Sequence, residues 1–102
     1  MIQKQAEEQE AKLLSFLPGG WEVVVLNTEI RPGYPERFKV VATFAGMIIV
    51  VSPLQQVHSY VNKGPGPVHT LLTQQDTKVA FEKLKDYVLQ RHAVYSKMIK
   101  GL

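Results

Sequence analysis

Three histidines are the side chains of this 102-residue chain that titrate nearest neutral pH, since it contains no cysteine. His58 and His69 lie on either side of a Gly-Pro-Gly-Pro stretch (64–67), and His92 sits among polar neighbours in QRHAVYSK. Two imidazoles so placed could bind a metal or move a proton. A closed metal site normally wants four ligands, however, and neither histidine has a carboxylate at ligand spacing beside it. Without cysteine there are no disulfides, thiolate zinc sites or cysteine nucleophiles. Ser15, Ser52, Ser59 and Ser96 lack the strand–turn–helix context of an activated serine. Gly64 and Gly66 make no phosphate cradle, because Pro65 and Pro67 remove the amide donors such a loop needs. Glu7, Glu8 and Glu10 read as a solvated helix face rather than an acid/base pair. These residues point away from an enzyme and toward a binding protein.

Composition bounds the kind of binding. Apolar residues are 45% and charged residues 21%, which is ordinary for one globular domain, and the net charge of +3 is only mildly basic. Arg31, Arg37, Lys39 and Lys63, with Tyr34 and Tyr60 as stacking groups, are the set that a nucleic-acid binder would use. The same cations serve equally as solubilising charge. The polar, acidic opening MIQKQAEEQEAK is not a signal peptide, and the longest apolar run, Ala45 to Val51, is too short to span a bilayer. A cytoplasmic protein without a membrane partner is expected.

The elements that must position these residues follow from periodicity. Ala6, Leu13, Leu14 and Leu17 recur at helical spacing over 2–17, and Pro18-Gly19-Gly20 ends that helix. WEVVVLNT (21–28) reads as a strand with Trp21, Val23 and Val25 on one face. FKVVATF (38–44) alternates, with Phe38, Val40, Ala42 and Phe44 inward, and Ala45-Gly46 turns the chain into MIIVV (47–51). That last run does not alternate, as in a strand buried on both faces. Ser52, Pro53 and Gln55 then resemble a helix start, with Leu54, Val57 and Val61 as the buried stripe and His58 at its edge. VHTLLT (68–73) reads as a strand near whose sheet end His69 falls. Asp76 caps a last helix to 99, with Phe81, Leu84, Val88, Tyr95 and Met98 inward. The expected fold is a single α+β domain over 1–102, in the order α-β-β-β-α-β-α, with a small mixed sheet and its helices packed on one face.

Placed in order, EVV (22–24), FKVV (38–41), Phe44 to Gly46, SPLQQVHSYV (52–61) and GPVHTLL (66–72), with Thr77 after them, resemble the BolA family of small class II KH-like domains. The resemblance sets 52–61 against the family's helix, with Gln56-Val57-His58 in place of its Arg-His-Arg core, and His69 against its characteristic histidine. It implies a non-enzymatic adaptor that pairs with a monothiol glutaredoxin and shares a [2Fe–2S] cluster through His69. The loop at 29–36 holds no histidine or cysteine, where many family members carry a second cluster ligand. No cofactor of the chain's own is expected.

Three functions follow as expectations. The first is a small non-catalytic adaptor in which His69, with His58 as the lesser candidate, meets a partner or shared cluster. The second is a KH-like nucleic-acid module using Arg31, Tyr34, Arg37, Lys39 and Lys63, although GPGP does not supply the GxxG loop of KH binding. The third is a homo-oligomer or inhibitor acting through an exposed sheet edge or the last helix, where Phe81, Tyr87, Val94, Tyr95, Met98 and Ile99 exceed what one helix face buries.

Overall fold

The alternating strand at 38–44 and the apolar run at 47–51 meet across Ala45-Gly46, and this hairpin is the centre of the fold. Ala45 and Gly46 both have positive φ, 46° and 94°, the pattern of a primed two-residue turn whose twist matches that of paired strands. The turn sets Phe44 against Met47, Ala42 against Ile49 and Val40 against Val51.

The computed structural model describes residues 1–29, 31–62, 68–70 and 76–102, of which Asn62 and 68–70 are described by their backbone alone. The elements are α1 (Gln3–Phe16), β1 (Glu22–Asn27), β2 (Phe38–Phe44), β3 (Met47–Val51), β4 (Val57–Asn62), β5 (Val68–Thr70) and α2 (Thr77–Gln90), followed by a 3-10 turn (Ile99–Gly101). The strands form one sheet in chain order, β1-β2-β3-β4-β5, and every neighbouring pair is antiparallel. α1 packs on β1 and β2, and α2 packs on β3 and β4. The α+β class is therefore as expected. The described order is α-β-β-β-β-β-α.

Two expectations about the sheet are corrected. Residues 52–61 do not form a helix. Ser52 N–H donates to the Gln56 carbonyl at 2.8 Å, Gln55 N–H donates to the Ser52 carbonyl at 2.9 Å, and Ser52 Oγ accepts from Gln56 N–H at 3.2 Å. Gln55 takes a positive φ of 62°. Serine followed by proline opens a β-turn as readily as it caps a helix, and VHSYV is rich in the β-branched and aromatic residues that favour a strand. Pairing with β3 settles the choice, setting Val57 against Val51 and Val61 against Met47. The sheet is consequently antiparallel rather than mixed, because a parallel neighbour needs a long crossover that the missing helix would have supplied. Gly64 to Pro67, and residues 71–73 of the expected strand 68–73, lie outside the described residues.

The core lies between the sheet and the helices. Val40, Ala42, Met47, Ile49, Val51, Val57 and Val61 meet Ala6, Leu13, Ala80, Phe81, Leu84 and Val88. The polar member of β4's inward row, Ser59, donates to the Ala80 carbonyl of α2 at 3.2 Å, so its burial is compensated. Leu14 was expected inside with Leu13 but is 57% exposed.

The last helix is also corrected. It ends at Gln90, where Arg91 leaves helical geometry, and Tyr95 and Met98 reach the core from the turns beyond it. A straight helix from 76 to 99 would run roughly 35 Å, well past strands about 20 Å long. Turning back lets Trp21 Nε1 donate to the Gly101 carbonyl at 2.6 Å. The Phe44 ring lies beside the Trp21 ring, 5.9 Å between centroids, and a Cβ at either Gly20 or Gly101 would overlap it. Glycine at both positions is what lets that end of the core close.

Leu84 is fully buried and Phe81 nearly so, at 0% and 7%. Changing either to Ala is expected to cost about 2–5 kcal/mol by urea denaturation. Asp76 caps α2 by accepting from the Lys78 and Val79 amides, and its carboxylate pairs with Lys12 of α1 at 2.7 Å. The Lys12 ammonium first, and then the Val79 amide, hold its carboxyl below the usual carboxylate range. A depressed folded-state value means that this stabilisation is present above the unfolded-state value and lost as pH falls through the folded one. Asp76→Ala should therefore lower stability by about 1 kcal/mol at neutral pH. Denaturation curves taken at falling pH should show the difference from wild type shrinking below about pH 4.

Candidate functional site

The same register that sends Val40, Ile49 and Val57 into the core sends their neighbours to the other side of the sheet. Ten of the described side chains of β1–β4 point there: Glu22, Val24, Leu26, Lys39, Val41, Thr43, Ile48, Val50, His58 and Tyr60. Val24, Val41, Val50 and His58 form one row across four strands. Glu22, Thr43, Ile48 and Tyr60 form the next, and Leu26 with Lys39 a third. Six of these ten are apolar or aromatic, and none belongs to the core cluster or packs against it. Val24 and Leu26 are 40% and 43% exposed, while Val41, Ile48, Val50 and Tyr60 are half-buried.

An antiparallel sheet with one solvated face normally alternates apolar inward and polar outward. Here β3 reads Met-Ile-Ile-Val-Val, with Met47, Ile49 and Val51 buried and Ile48 and Val50 on the uncovered side. The expectation that this strand is buried on both faces is met on one face among the described residues. What the face can do chemically is bind by removing apolar area from water, worth roughly 25 cal/mol per Å². Its charged groups are few. Glu22 stands at one end and Lys39 at the other, on adjacent strands.

The histidines are separated by the corrected strand. His58 lies on β4 in this open face, opposite Val50, with its ring 6.1 Å from that of Tyr60 and near parallel to it. It stands on a strand, not at a helix edge. His69 pairs through its backbone with Val61, and its side chain lies outside the described residues. His92 is exposed just after α2. Among the described residues no three His, Asp or Glu side chains come together as a metal site. The chain has no cysteine and the 29–36 loop no histidine. The segment set against the BolA helix is the turn before β4 and that strand itself.

The basic set is partly gathered and partly committed. Arg31, Tyr34 and Arg37 share the β1–β2 connection, and Lys39 follows on the open face. Arg31 Nε pairs with Glu29 at 2.9 Å, its Nη2 donates to the second Glu29 oxygen at 3.1 Å, and its guanidinium lies 4.1 Å over the Tyr34 ring. The Arg31 guanidinium holds the Glu29 carboxyl below its ordinary range, and Glu29 in turn raises Arg31. One cation and one aromatic face of the set are thereby engaged within the chain. Lys63 lies outside the described residues.

No family model, curated protein or solved structure matches the chain. No helix among the described residues is long and apolar enough to cross a membrane. Val24, Ile48 and Val50 carry no reactive group, and what marks them in the sequence is the missing alternation of EVVVLN and MIIVV; Val41, in the alternating FKVVATF, has no such mark.

Adjacent residues of β3 test the two faces. Ile49→Ala should cost about 2–5 kcal/mol, whereas Val50→Ala should cost about 1 kcal/mol or less. Both are read from urea curves at low micromolar protein, and equal losses would mean that both faces are core.

Proposed function

We propose that this is a small non-catalytic binding protein whose working surface is the uncovered face of its sheet. One observation carries the reading: Val24, Leu26, Val41, Ile48, Val50 and Tyr60 share a face that neither helix covers. A contiguous apolar patch rimmed by a few polar groups is the common form of a protein-interaction surface. Its aliphatic character favours a protein over a nucleic acid, which would be read by stacking aromatics and several cations. Lys39 is the one lysine or arginine among the ten side chains. A glutaredoxin-like partner and a shared cluster rest on the sequence resemblance alone. His58 enters this reading as part of the face rather than as a ligand.

A photo-crosslinking residue placed at Val50, in the open face, and another at Glu82, exposed on α2, test the assignment. The probe at 50 should give discrete protein adducts, of the chain with itself or with another protein, and the probe at 82 few. Adducts destroyed by nuclease would turn the reading to nucleic acid. Equal labelling at both positions would remove the face from consideration.

A further inference from the structure

The sheet ends at β1, and the outer side of that strand is a second surface, distinct from the open face. Thr28 N–H donates to the Arg37 carbonyl at 2.6 Å, in step with the pairs Asn27–Phe38, Leu26–Lys39 and Val24–Val41. Bonded and non-bonded pairs alternate along an antiparallel ladder. Glu22, Val24 and Leu26 therefore bond to β2, and the N–H and C=O groups of Val23, Val25 and Asn27 point away from it. None of these six groups has a partner among the described residues.

Edge strands are commonly blunted by proline, lysine or a bulge. β1 contains neither proline nor lysine, pairs with β2 through six residues without a bulge, and reads Val-Val-Val-Leu across its middle. Its helix-facing residues show the same gap. Val23 and Val25 are only half-buried, whereas Val40, Ala42, Ile49 and Val57 in the same layer of β2–β4 are buried.

Backbone groups in this arrangement are matched by another extended chain, and charge narrows which chain. Glu22 and Lys39 stand on the open face toward opposite ends of β1, and neither has an ion-pair partner among the described residues. An incoming residue opposite Glu22 would occupy a non-hydrogen-bonded pair, where side chains lie closest. One opposite Leu26 would lie two strand spacings, about 10 Å, from Lys39, within the joint reach of a carboxylate side chain and a lysine ammonium. An antiparallel segment with an acidic residue opposite Leu26 and a basic one four positions later, opposite Glu22, answers both charges. Apolar residues opposite Val25 and Val23 would extend the half-buried layer beneath α1.

We propose that the β1 edge binds an extended segment of another protein as a further strand, antiparallel to β1. That segment carries an acidic residue opposite Leu26, apolar residues opposite Val25 and Val23, and a basic residue opposite Glu22.

The probe is an acetylated, amidated peptide, Thr-Glu-Val-Thr-Val-Lys-Thr, titrated into the isotope-labelled full chain up to millimolar concentration and read by amide chemical shifts. The Val23, Val25 and Asn27 amides should shift most, and saturably. N-methylation of both peptide valines, whose amides would face β1, should weaken binding about tenfold or more. N-methylation of the central threonine, whose amide would face away, should leave it within a few-fold. Exchanging the peptide's Glu and Lys should weaken binding about threefold or more. Val25→Pro removes an outward N–H and nothing from the β1–β2 ladder, so it should stay folded by circular dichroism and lose the peptide. If that variant unfolds, the two N-methylated peptides decide. The inference is overturned by the absence of a saturable shift at β1, by equal effects of the two N-methylations, or by a charge-exchanged peptide that binds as well. A dimer in sedimentation that Val25→Pro dissociates overturns it too, since the edge would then belong to a second copy. The probe at Val50 reads a different surface, so the open-face reading stands or falls separately.

Discussion

The pairing of β2 with β3 across Ala45-Gly46 is the constraint from which the rest of the structure follows. A two-residue turn leaves no freedom of register, so Ala42 must face Ile49 and Val40 must face Val51. Because successive side chains of a strand alternate, a slip of one residue would exchange the whole inward set for the outward one. Here both sets are largely apolar. The turn therefore decides which of two usable faces becomes the core, and the helices complete that choice by covering Met47, Ile49 and Val51.

Once that face is selected, the ends of the core impose their own demands. The Trp21 indole needs a partner for its N–H when buried, and the nearby acceptor is the Gly101 carbonyl. Reaching it requires the chain to abandon helix at Gln90 and fold back through turns. The Phe44 ring then sits where a Cβ at Gly20 or Gly101 would otherwise be. Three aromatic rings, Trp21, Phe44 and Phe81, and Phe16 beside them, close the core at the place where α1 hands over to β1. Lys12 and Asp76 tie α1 to the start of α2 from the outside, a modest contribution for an exposed pair.

The opposite face is the consequence left over. Two helices of 14 residues each cover one side of a five-stranded sheet, and the chain's apolar residues on the other side have no cover among the described residues. The proposed function rests on that surface. The two histidines that looked most like chemistry are parted by the strand character of 57–62: His58 belongs to the surface, and His69 pairs by its backbone with a core position.

Alternation in FKVVATF, the cap at Asp76, the breaker at 18–20 and the turn at Ala45-Gly46 were legible in the sequence alone. Each is a local signal, because dihedral preference, capping and the two-residue period act over neighbours in the chain. That legibility extends to the α+β class and to most of the core, including Phe81, Leu84 and Val88. Ser52 to Val61 was not legible, since Ser-Pro serves a turn and a helix cap alike, and only the ladder to β3 decided between them. Nor was the end of α2, where periodicity carried on through Tyr95 and Met98 although the backbone had turned, because those side chains reach the same core by another path. The open face was half legible: MIIVV announced two buried sides, but which strands lie beside it, and that the helices share one side, depends on contacts between residues far apart in sequence. Tertiary pairing decided those points because hydrogen-bond ladders and layer packing are properties of the assembled sheet, absent from any single segment.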